Sequence, residues 1–265
     1  MNKLYFVSGF PRSGNTLLTS ILDENPNITA TGHSWTTDIF HELKKFEFSN
    51  PRVKNYPCDE NFNNVYKNIF KNFYSHIKTD YVIERGEWIT PFNYEVLKKY
   101  CPNEIKIVIL VRDILDIVKS YLKICKTYPN FYINNFYKKI EKSTVYLSED
   151  ELKADLVMDK NDLVHTILYS IKQLKDKNIL DNFLIVDYDD LIKDTNKQLN
   201  RIYDYFEIPR YKHNLKKITQ LPGYDDEIIG APIHTIKTKG IEKENNNIKL
   251  SKRTVEKYKN LEFWK

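Results

Sequence analysis

The sequence has few cysteines and no long apolar run, and both absences narrow the class of protein. Three cysteines occur among 265 residues, and no two of them form a Cys-x-x-Cys pair. This odd, scattered set argues against a disulfide framework or a zinc site and favours a reducing compartment. The apolar run after Lys3 is too short for a signal peptide, and no run approaches the roughly 20 residues of a membrane span. We therefore expect a cytoplasmic chain without a membrane span.

The charge balance is mildly basic, because 41 Lys and Arg face 36 Asp and Glu and give a net charge of +5. This excess suits an anionic ligand but does not require a nucleic acid, and no nucleic-acid partner is expected. Hydrophobic residues make up 41% of the chain and charged residues 29%, which is typical of a globular protein. The length allows one sizeable core, so we predict a single domain over residues 1–265.

Short apolar runs alternate with segments of helical spacing along most of the chain. The predicted strands are residues 4–7, 28–31, 81–84, 105–111 and 183–186. Apolar runs that alternate with helices favour a parallel sheet that is covered on both faces. The fold class predicted is therefore α/β, with about five parallel strands and helices on both faces. The polar, aromatic stretch 128–160 has weak periodicity, and we predict an insertion there, on the acceptor side.

The chain is organised around the glycine loop, defined here as residues 9–16, which joins the first predicted strand to the first predicted helix. Gly9 and Gly14 are separated by four residues and followed by Asn15 and Thr16. This is the spacing of the phosphate-binding pattern G-x-x-x-x-G-K-[ST], with asparagine in place of lysine. Backbone amides of such a loop and the following helix N-terminus bind phosphate. The missing lysine argues against hydrolysis of ATP or GTP, and an ordinary Gly/Pro turn is the plain alternative.

The segment 9–18, Gly-Phe-Pro-Arg-Ser-Gly-Asn-Thr-Leu-Leu, resembles the 5′-phosphosulfate loop of sulfotransferases. The Pro-Arg-Ser-Gly form is most similar to the tyrosylprotein and bacterial or phage-type branches. The resemblance implies transfer of a sulfuryl group from 3′-phosphoadenosine 5′-phosphosulfate (PAPS), which leaves adenosine 3′,5′-bisphosphate (PAP), with no metal required. In this loop it implies cofactor contacts from Pro11, Arg12, Ser13, Gly14, Asn15 and Thr16.

Three later segments extend the same resemblance. Arg112 ends a buried strand and Ser120 follows eight residues later, as in the family's motif for the 3′-phosphate. An arginine supplies a forked, charged donor, and both side chains can reach one phosphate. Tyr188 lies at the end of the last strand, where the family has a tyrosine near the adenine. Lys237 is the first candidate for a phosphate contact from the late loop that begins at His234, with Lys249 a weaker one.

Each of these later segments also has a structural interpretation. Arg112 could form only a strand-end pair with Asp113, Tyr188 could be one of 19 tyrosines in the core, and the late lysines could be solvated. Asp187 could instead be a carboxylate for Mg²⁺, but Asn15 removes the matching lysine.

The catalytic candidates are Arg12, His33 and Arg85. Sulfuryl transfer needs a base for the acceptor proton and positive charge for the leaving phosphate. Arg12 and Arg85 are predicted to stabilise that charge. His33 follows the second strand and could accept the proton as a neutral imidazole, although the tyrosylprotein branch has a glutamate in this region. Glu87 is the alternative base, and His33 could also be purely structural.

Two other classes of function stay open at this stage. One is a P-loop kinase that uses ATP and Mg²⁺, and the other is a non-catalytic nucleotide-binding protein. The predicted partner is a small-molecule, carbohydrate or peptide acceptor, and the sequence does not distinguish among them.

Overall fold

A parallel sheet forms the centre of the molecule in the computed structural model, which describes residues 2–139, 148–236, 240–242 and 246–265. Its five described strands are β1 (Lys3–Gly9), β2 (Ile28–Ala30), β3 (Tyr81–Arg85), β4 (Ile107–Val111) and β5 (Leu184–Asp187). They pair side by side in the order β2-β3-β1-β4-β5, and every pair is parallel. The predicted α/β fold class is confirmed.

Helices connect the strands and follow the last one. They are α1 (Asn15–Leu22), α2 (Trp35–Ser49), α3 (Pro51–Asn55), α4 (Asp59–Phe73), α5 (Pro91–Tyr100), α6 (Ile114–Thr127), α7 (Tyr132–Lys138), α8 (Glu149–Val157), α9 (Leu163–Asp176), α10 (Tyr188–Lys193), α11 (Thr195–Phe206) and α12 (Lys252–Tyr258). Throughout the described ranges, each helix is too short or too polar to cross a bilayer.

Side chains along the central strands point alternately to the two faces of the sheet, so the core lies on both faces. Phe6 of β1 and Ile109 of β4 belong to one apolar cluster, together with side chains of α2, α4, α6 and α9. Val7 and Leu110 belong to a second cluster, with side chains of α1 and α11. Successive residues of a strand point to opposite faces, so an entirely apolar strand can serve both clusters. Helices therefore cover both faces, as the sequence predicts.

Gly9 ends β1 where two strands approach closely. A Cβ at this position would lie 2.2 Å from the carbonyl oxygen of Leu110, and the Gly9 φ is +150°. No other residue fits that approach. The first glycine of the loop is thus required by packing between β1 and β4.

One segment differs from the sequence predictions. Residues 50–61 were predicted as a polar connection, but they contain the short helix α3. Its local signals are Pro51 at the first helical position and the Asn50 side chain, which accepts from the Arg52 amide at 2.9 Å. The predicted insertion at 128–160 holds α7 and α8, and residues 140–147 of it lie outside the described part.

Candidate functional site

A cavity of about 570 Å³ opens at the carboxyl edge of the sheet, where α/β folds bind ligands. Its volume is within the range of about 300–1,000 Å³ that is usual for small-molecule sites. The predicted site residues that line it are Pro11, Arg12, Gly14, Asn15, Thr16, Arg85, Arg112, Ser120 and Tyr188. The structure thus brings together nine positions that come from four separate segments of the sequence.

Polar side chains inside the glycine loop hold its backbone. The Ser13 hydroxyl donates to the Phe10 carbonyl at 2.6 Å, and the Asn15 amide donates to the same carbonyl at 2.7 Å. Ser13 is fully buried, so its side chain braces the loop rather than lining the cavity. Asn15 stands where phosphate loops carry lysine, and its amide is used within the loop.

The N-terminus of α1 opens onto the cavity. Gly14 is its N-cap residue, with a left-handed φ of 89°, and as a glycine it offers no side chain to cap the first turn. The first residues of the helix, Asn15 and Thr16, line the cavity. Uncapped amides and the positive end of the helix dipole form a binding site for an anion.

Arg12 links the loop to two distant segments. Its Nε donates to the Ser120 hydroxyl of α6 at 3.1 Å, and its Nη1 donates to the Ile233 carbonyl at 2.6 Å. The backbone of Arg12 is left-handed, with φ 66°. These contacts position the guanidinium at the cavity wall beside Ser120.

Arg112 follows β4 directly and lies against both the loop and Tyr188. Its Nη1 donates to the Arg12 carbonyl at 2.7 Å, and its guanidinium carbon lies 4.3 Å from the centre of the Tyr188 ring. A Cβ on Gly14 would lie 3.1 Å from that same ring, so the tyrosine packs directly on the loop. The Nε of Arg112 is buried and has no hydrogen-bond partner among the described residues.

Arg85, the last residue of β3, provides a third cation. Its Nη1 lies 3.0 Å from the Thr16 hydroxyl, 3.0 Å from the Gly32 carbonyl and 2.8 Å from the Tyr224 hydroxyl. The Tyr224 hydroxyl donates to the same Gly32 carbonyl at 2.7 Å. This network connects the third strand with the glycine loop and with Tyr224, ten residues before the late loop begins.

His33 lies apart from this group. Its Nε2 is 3.7 Å from an Asp38 carboxylate oxygen, and 47% of its side chain is exposed. Its ring meets Trp35 edge-on, and His33 is not among the residues that line the cavity. Glu87, the alternative base, is also absent from the lining.

Three other predicted residues do not line the cavity in the described structure. The Asp187 carboxylate accepts from the Asp189 amide at 2.8 Å and so caps α10. Lys237 lies outside the described residues, while Lys249 is described but does not line the cavity.

The late loop contributes a histidine that sequence reasoning missed. His234 lines the cavity, its Nδ1 lies 2.6 Å from an Asp226 oxygen, and its ring stacks on Tyr224 with centroids 4.2 Å apart. Burial lowers the pKa of His234, and the charges of Arg85 and Arg12 lower it further, while Asp226 raises it. The only signal in the sequence is that His234 begins the late loop, and in the sulfotransferases that the chain resembles such a loop is expected to cover the cofactor.

A buried carboxylate behind the cavity was also missed. Glu84 is completely buried in β3 and accepts hydrogen bonds from the hydroxyls of Ser34 and Thr36, both at 2.5 Å. Burial raises the pKa of Glu84 to about 7, against the lowering effect of these hydroxyls. The carboxyl group fixes the turn that follows His33.

Comparison with known proteins identifies the class. A model of the sulfotransferase family matches residues 5–213, which is well over half of the chain. The chain therefore belongs to the sulfotransferase family, and the resemblance of its glycine loop is confirmed. No curated protein matches the chain.

Solved structures agree with this assignment at the level of the fold. One is a sulfotransferase domain from the curacin biosynthetic pathway, 13% identical with a TM-score of 0.60, covering 97% of this chain and 97% of that one. Another is a sulfotransferase domain from the olefin synthase of Synechococcus PCC 7002, 15% identical with a TM-score of 0.55, covering 96% and 92%. The chain is thus an enzyme of the sulfotransferase class, with the α/β fold of these domains.

Proposed function

We propose that the chain transfers a sulfuryl group from PAPS to a hydroxyl or amine of an acceptor and releases PAP. The observation that carries the proposal is the position of Arg112 and Ser120 on the same cavity as the glycine loop. The glycine loop and the Arg112–Ser120 pair would form two phosphate-binding corners of one cavity, which suits a nucleotide that is phosphorylated at both the 5′ and 3′ positions. ATP and AMP lack the 3′-phosphate, so they would leave the second corner empty.

The charges around the cavity support an anionic occupant. Arg12, Arg85 and Arg112 all line it, against a single lining carboxylate, Glu242, among the described residues. The buried Nε of Arg112 has an unused hydrogen in the described structure, and leaving such a donor unpaired costs about 1–3 kcal/mol. A phosphate oxygen at this corner would satisfy it. The chemistry of the residues therefore fits PAPS.

Each residue then has a distinct role in holding the donor. The uncapped amides of α1 and Thr16 would hold the 5′-phosphate, and Arg112 with Ser120 would hold the 3′-phosphate. Tyr188, which packs on the loop beneath Arg112, would lie beside the adenine. Lys237 would add a phosphate contact from the late loop.

Charge stabilisation would come from two arginines. Arg12 belongs to the loop and Arg85 contacts it through the Thr16 hydroxyl, and both would face negative charge as it grows on the leaving phosphate. Preorganised donors of this kind are a major source of rate enhancement in group transfer. A sulfuryl group carries less charge than a terminal phosphoryl group, so the reaction we propose needs no metal.

The acceptor would enter from the side of the cavity away from Tyr188. A small molecule, a carbohydrate or a peptide would suit this role, and residues 128–160 are the proposed acceptor-side insertion. We place the reaction in the cytoplasm, and the three free cysteines support a reducing compartment.

Calorimetry of nucleotide binding tests the donor assignment. In a buffer with a metal chelator, the protein should bind PAP far more tightly than AMP or ATP. Arg112→Ala should remove most of the difference, because a hydrogen bond to a charged group contributes about 1.5–3 kcal/mol, roughly tenfold to a hundredfold in affinity. Arg210→Ala, at an exposed arginine paired with Asp204, serves as the matched control. Equal affinities for PAP and AMP in the unmodified protein would refute the proposed donor.

A further inference from the structure

His234 is held between the two arginines that face the proposed leaving group. The carbonyl of its neighbour Ile233 accepts from Arg12 at 2.6 Å. On the other side, the His234 ring lies flat on Tyr224, with an interplanar angle of 10°, and the Tyr224 hydroxyl is 2.8 Å from Arg85 Nη1. The imidazole is therefore fixed relative to Arg12 and Arg85. A quarter of its side chain, 25%, is exposed.

Asp226 determines which ring nitrogen of His234 carries the proton. One carboxylate oxygen of Asp226 accepts from the His234 backbone amide at 2.9 Å, and the other lies 2.6 Å from Nδ1. An ionised carboxylate only accepts hydrogen bonds, so Nδ1 of the neutral ring is the donor. Nε2 is then left with its lone pair, and in the described part of the chain no protein group hydrogen-bonds to it.

We propose that His234 is the general base of sulfuryl transfer and that Asp226 is its positioning residue. This inference rests on the proposed function, and it names a residue of the same cavity. His234 Nε2 takes the proton from the acceptor hydroxyl as the acceptor oxygen forms its bond to sulfur. The bond between sulfur and the 5′-phosphate oxygen of PAPS breaks, and PAP leaves with that electron pair. The proton on Nε2 then passes to solvent.

The surroundings of His234 keep its imidazole neutral near neutral pH. The charged or titratable groups that face it are Asp226 and Tyr224 of the segment before the late loop, Arg12 of the glycine loop and Arg85 of β3. Burial and the two arginines lower the pKa of His234, whereas Asp226 raises it. A base must be unprotonated to act, so a low pKa keeps His234 competent below the ordinary histidine value of about 6.5.

His33 is less well placed for the same step. Its imidazole is nearly half exposed, pairs with Asp38 and does not line the cavity. His234 has the three features that a positioned base requires: a place at the cavity, a fixed ring and an orienting carboxylate.

The first experiment measures release of labelled sulfuryl from PAPS, with water and with a panel of alcohol acceptors. His234→Gln should lower kcat by about 10²–10⁴-fold, the usual contribution of a general base. Calorimetric affinity for PAP should stay unchanged, since no cofactor contact is assigned to this side chain. His165→Gln is the matched control, because this histidine lies on α9 and stacks on Tyr169 away from the cavity. His33→Gln is measured alongside as the rival.

The outcomes separate this inference from the proposed function. Absence of PAP binding and of sulfuryl release in the unmodified protein would refute the proposed function. If the unmodified protein is active and His234→Gln keeps its kcat, or loses PAP affinity in step with kcat, the base is not His234. If only His33→Gln lowers kcat, His33 and not His234 is the base that takes the acceptor proton.

Asp226→Asn provides a readout that a merely structural role would not change. The carboxylate raises the pKa of His234, so its removal should move the acid limb of the kcat/KM profile to lower pH, as well as lower kcat. An unchanged limb would contradict the assignment of that limb to His234.

Nitrogen NMR of histidine-labelled protein tests the ring directly and does not depend on turnover. The His234 signals should show a proton on Nδ1, a bare Nε2 and a pKa below the free-histidine value. A proton on Nε2 in the neutral ring, or a pKa above the free value, would overturn the inference even if every variant failed to fold.

Discussion

Glu84→Gln should change how stability depends on pH, because Glu84 is fully buried and burial raises its pKa from 4.5 to about 7. Below pH 4.5 this carboxyl is protonated in both the folded and the unfolded state, so it contributes no penalty. Between the two values the unfolded state loses the proton and the folded state keeps it. The free energy of unfolding therefore falls as pH rises through this window. Above about 7 the full penalty of the buried charge is present.

The size of the effect follows from the two pKa values of Glu84. One pKa unit corresponds to about 1.36 kcal/mol, so the shift from 4.5 to about 7 costs the folded protein about 3 kcal/mol at high pH. Glutamine does not ionise, and its carbonyl can still accept from Ser34 and Thr36. The glutamine amide can donate to the Tyr74 hydroxyl, which interacts with the carboxyl group in the unmodified protein, and any remaining offset is the same at every pH. The test is therefore how the difference in free energy of unfolding between the two proteins changes with pH, and not its value at any one pH.

Urea denaturation of both proteins from about pH 4.5 to about pH 8 measures that change. The difference in free energy of unfolding, Glu84→Gln minus unmodified, should rise by about 3 kcal/mol across this range. Other titrating groups cancel in the difference, and Glu60→Gln at an exposed glutamate of α4 controls for loss of one carboxylate. A difference that stays flat with pH would show that the hydroxyls of Ser34 and Thr36 fully offset burial.

Two further predictions concern the cavity wall. Arg12→Ala should lower kcat more than PAP affinity, because charge on the leaving phosphate develops only during transfer; a loss of affinity with kcat retained at saturation would make Arg12 a binding residue only. Tyr188→Ala should weaken PAP binding about tenfold, because it removes the ring that lies against Arg112. Tyr188→Phe keeps the ring and should bind PAP normally. Equal calorimetric affinities of the two variants for PAP would contradict this prediction.

Most of the sheet could be predicted because buried parallel strands are apolar almost throughout. β4 is an unbroken apolar run, and its order next to β1 brings Arg112 to the glycine loop, as the sequence predicted. The strand ends and the loop spacing identify positions on one edge of the sheet. Local signals therefore sufficed for the loop, the arginine and the tyrosine that line the cavity.

The late loop could not be predicted because it has no periodicity. His234 contacts Asp226, eight residues earlier, and stacks on Tyr224, ten residues earlier. Neither contact follows from the periodicity of a helix or a strand. Its conformation depends on tertiary contacts, such as the one between the Ile233 carbonyl and Arg12. The sequence made His33 the candidate base because it follows a strand, but the turn after β2 places its ring beside Asp38.

Glu84 was missed for the opposite reason. A glutamate in a strand is ordinarily expected at the surface, since carboxylates are rarely fully buried. Here the hydroxyls that accommodate it come from residues about 50 positions earlier, Ser34 and Thr36, so nothing adjacent in sequence marks the site.

The most direct test of the account is to incubate the purified protein with sulfur-labelled PAPS, a metal chelator and acceptors from the small-molecule, carbohydrate and peptide classes. We expect label to move from PAPS to an acceptor with release of one equivalent of PAP, and we expect no consumption of ATP in a parallel incubation that contains Mg²⁺ in place of the chelator. Retention of all label on PAPS, together with metal-dependent consumption of ATP, would contradict the proposed reaction.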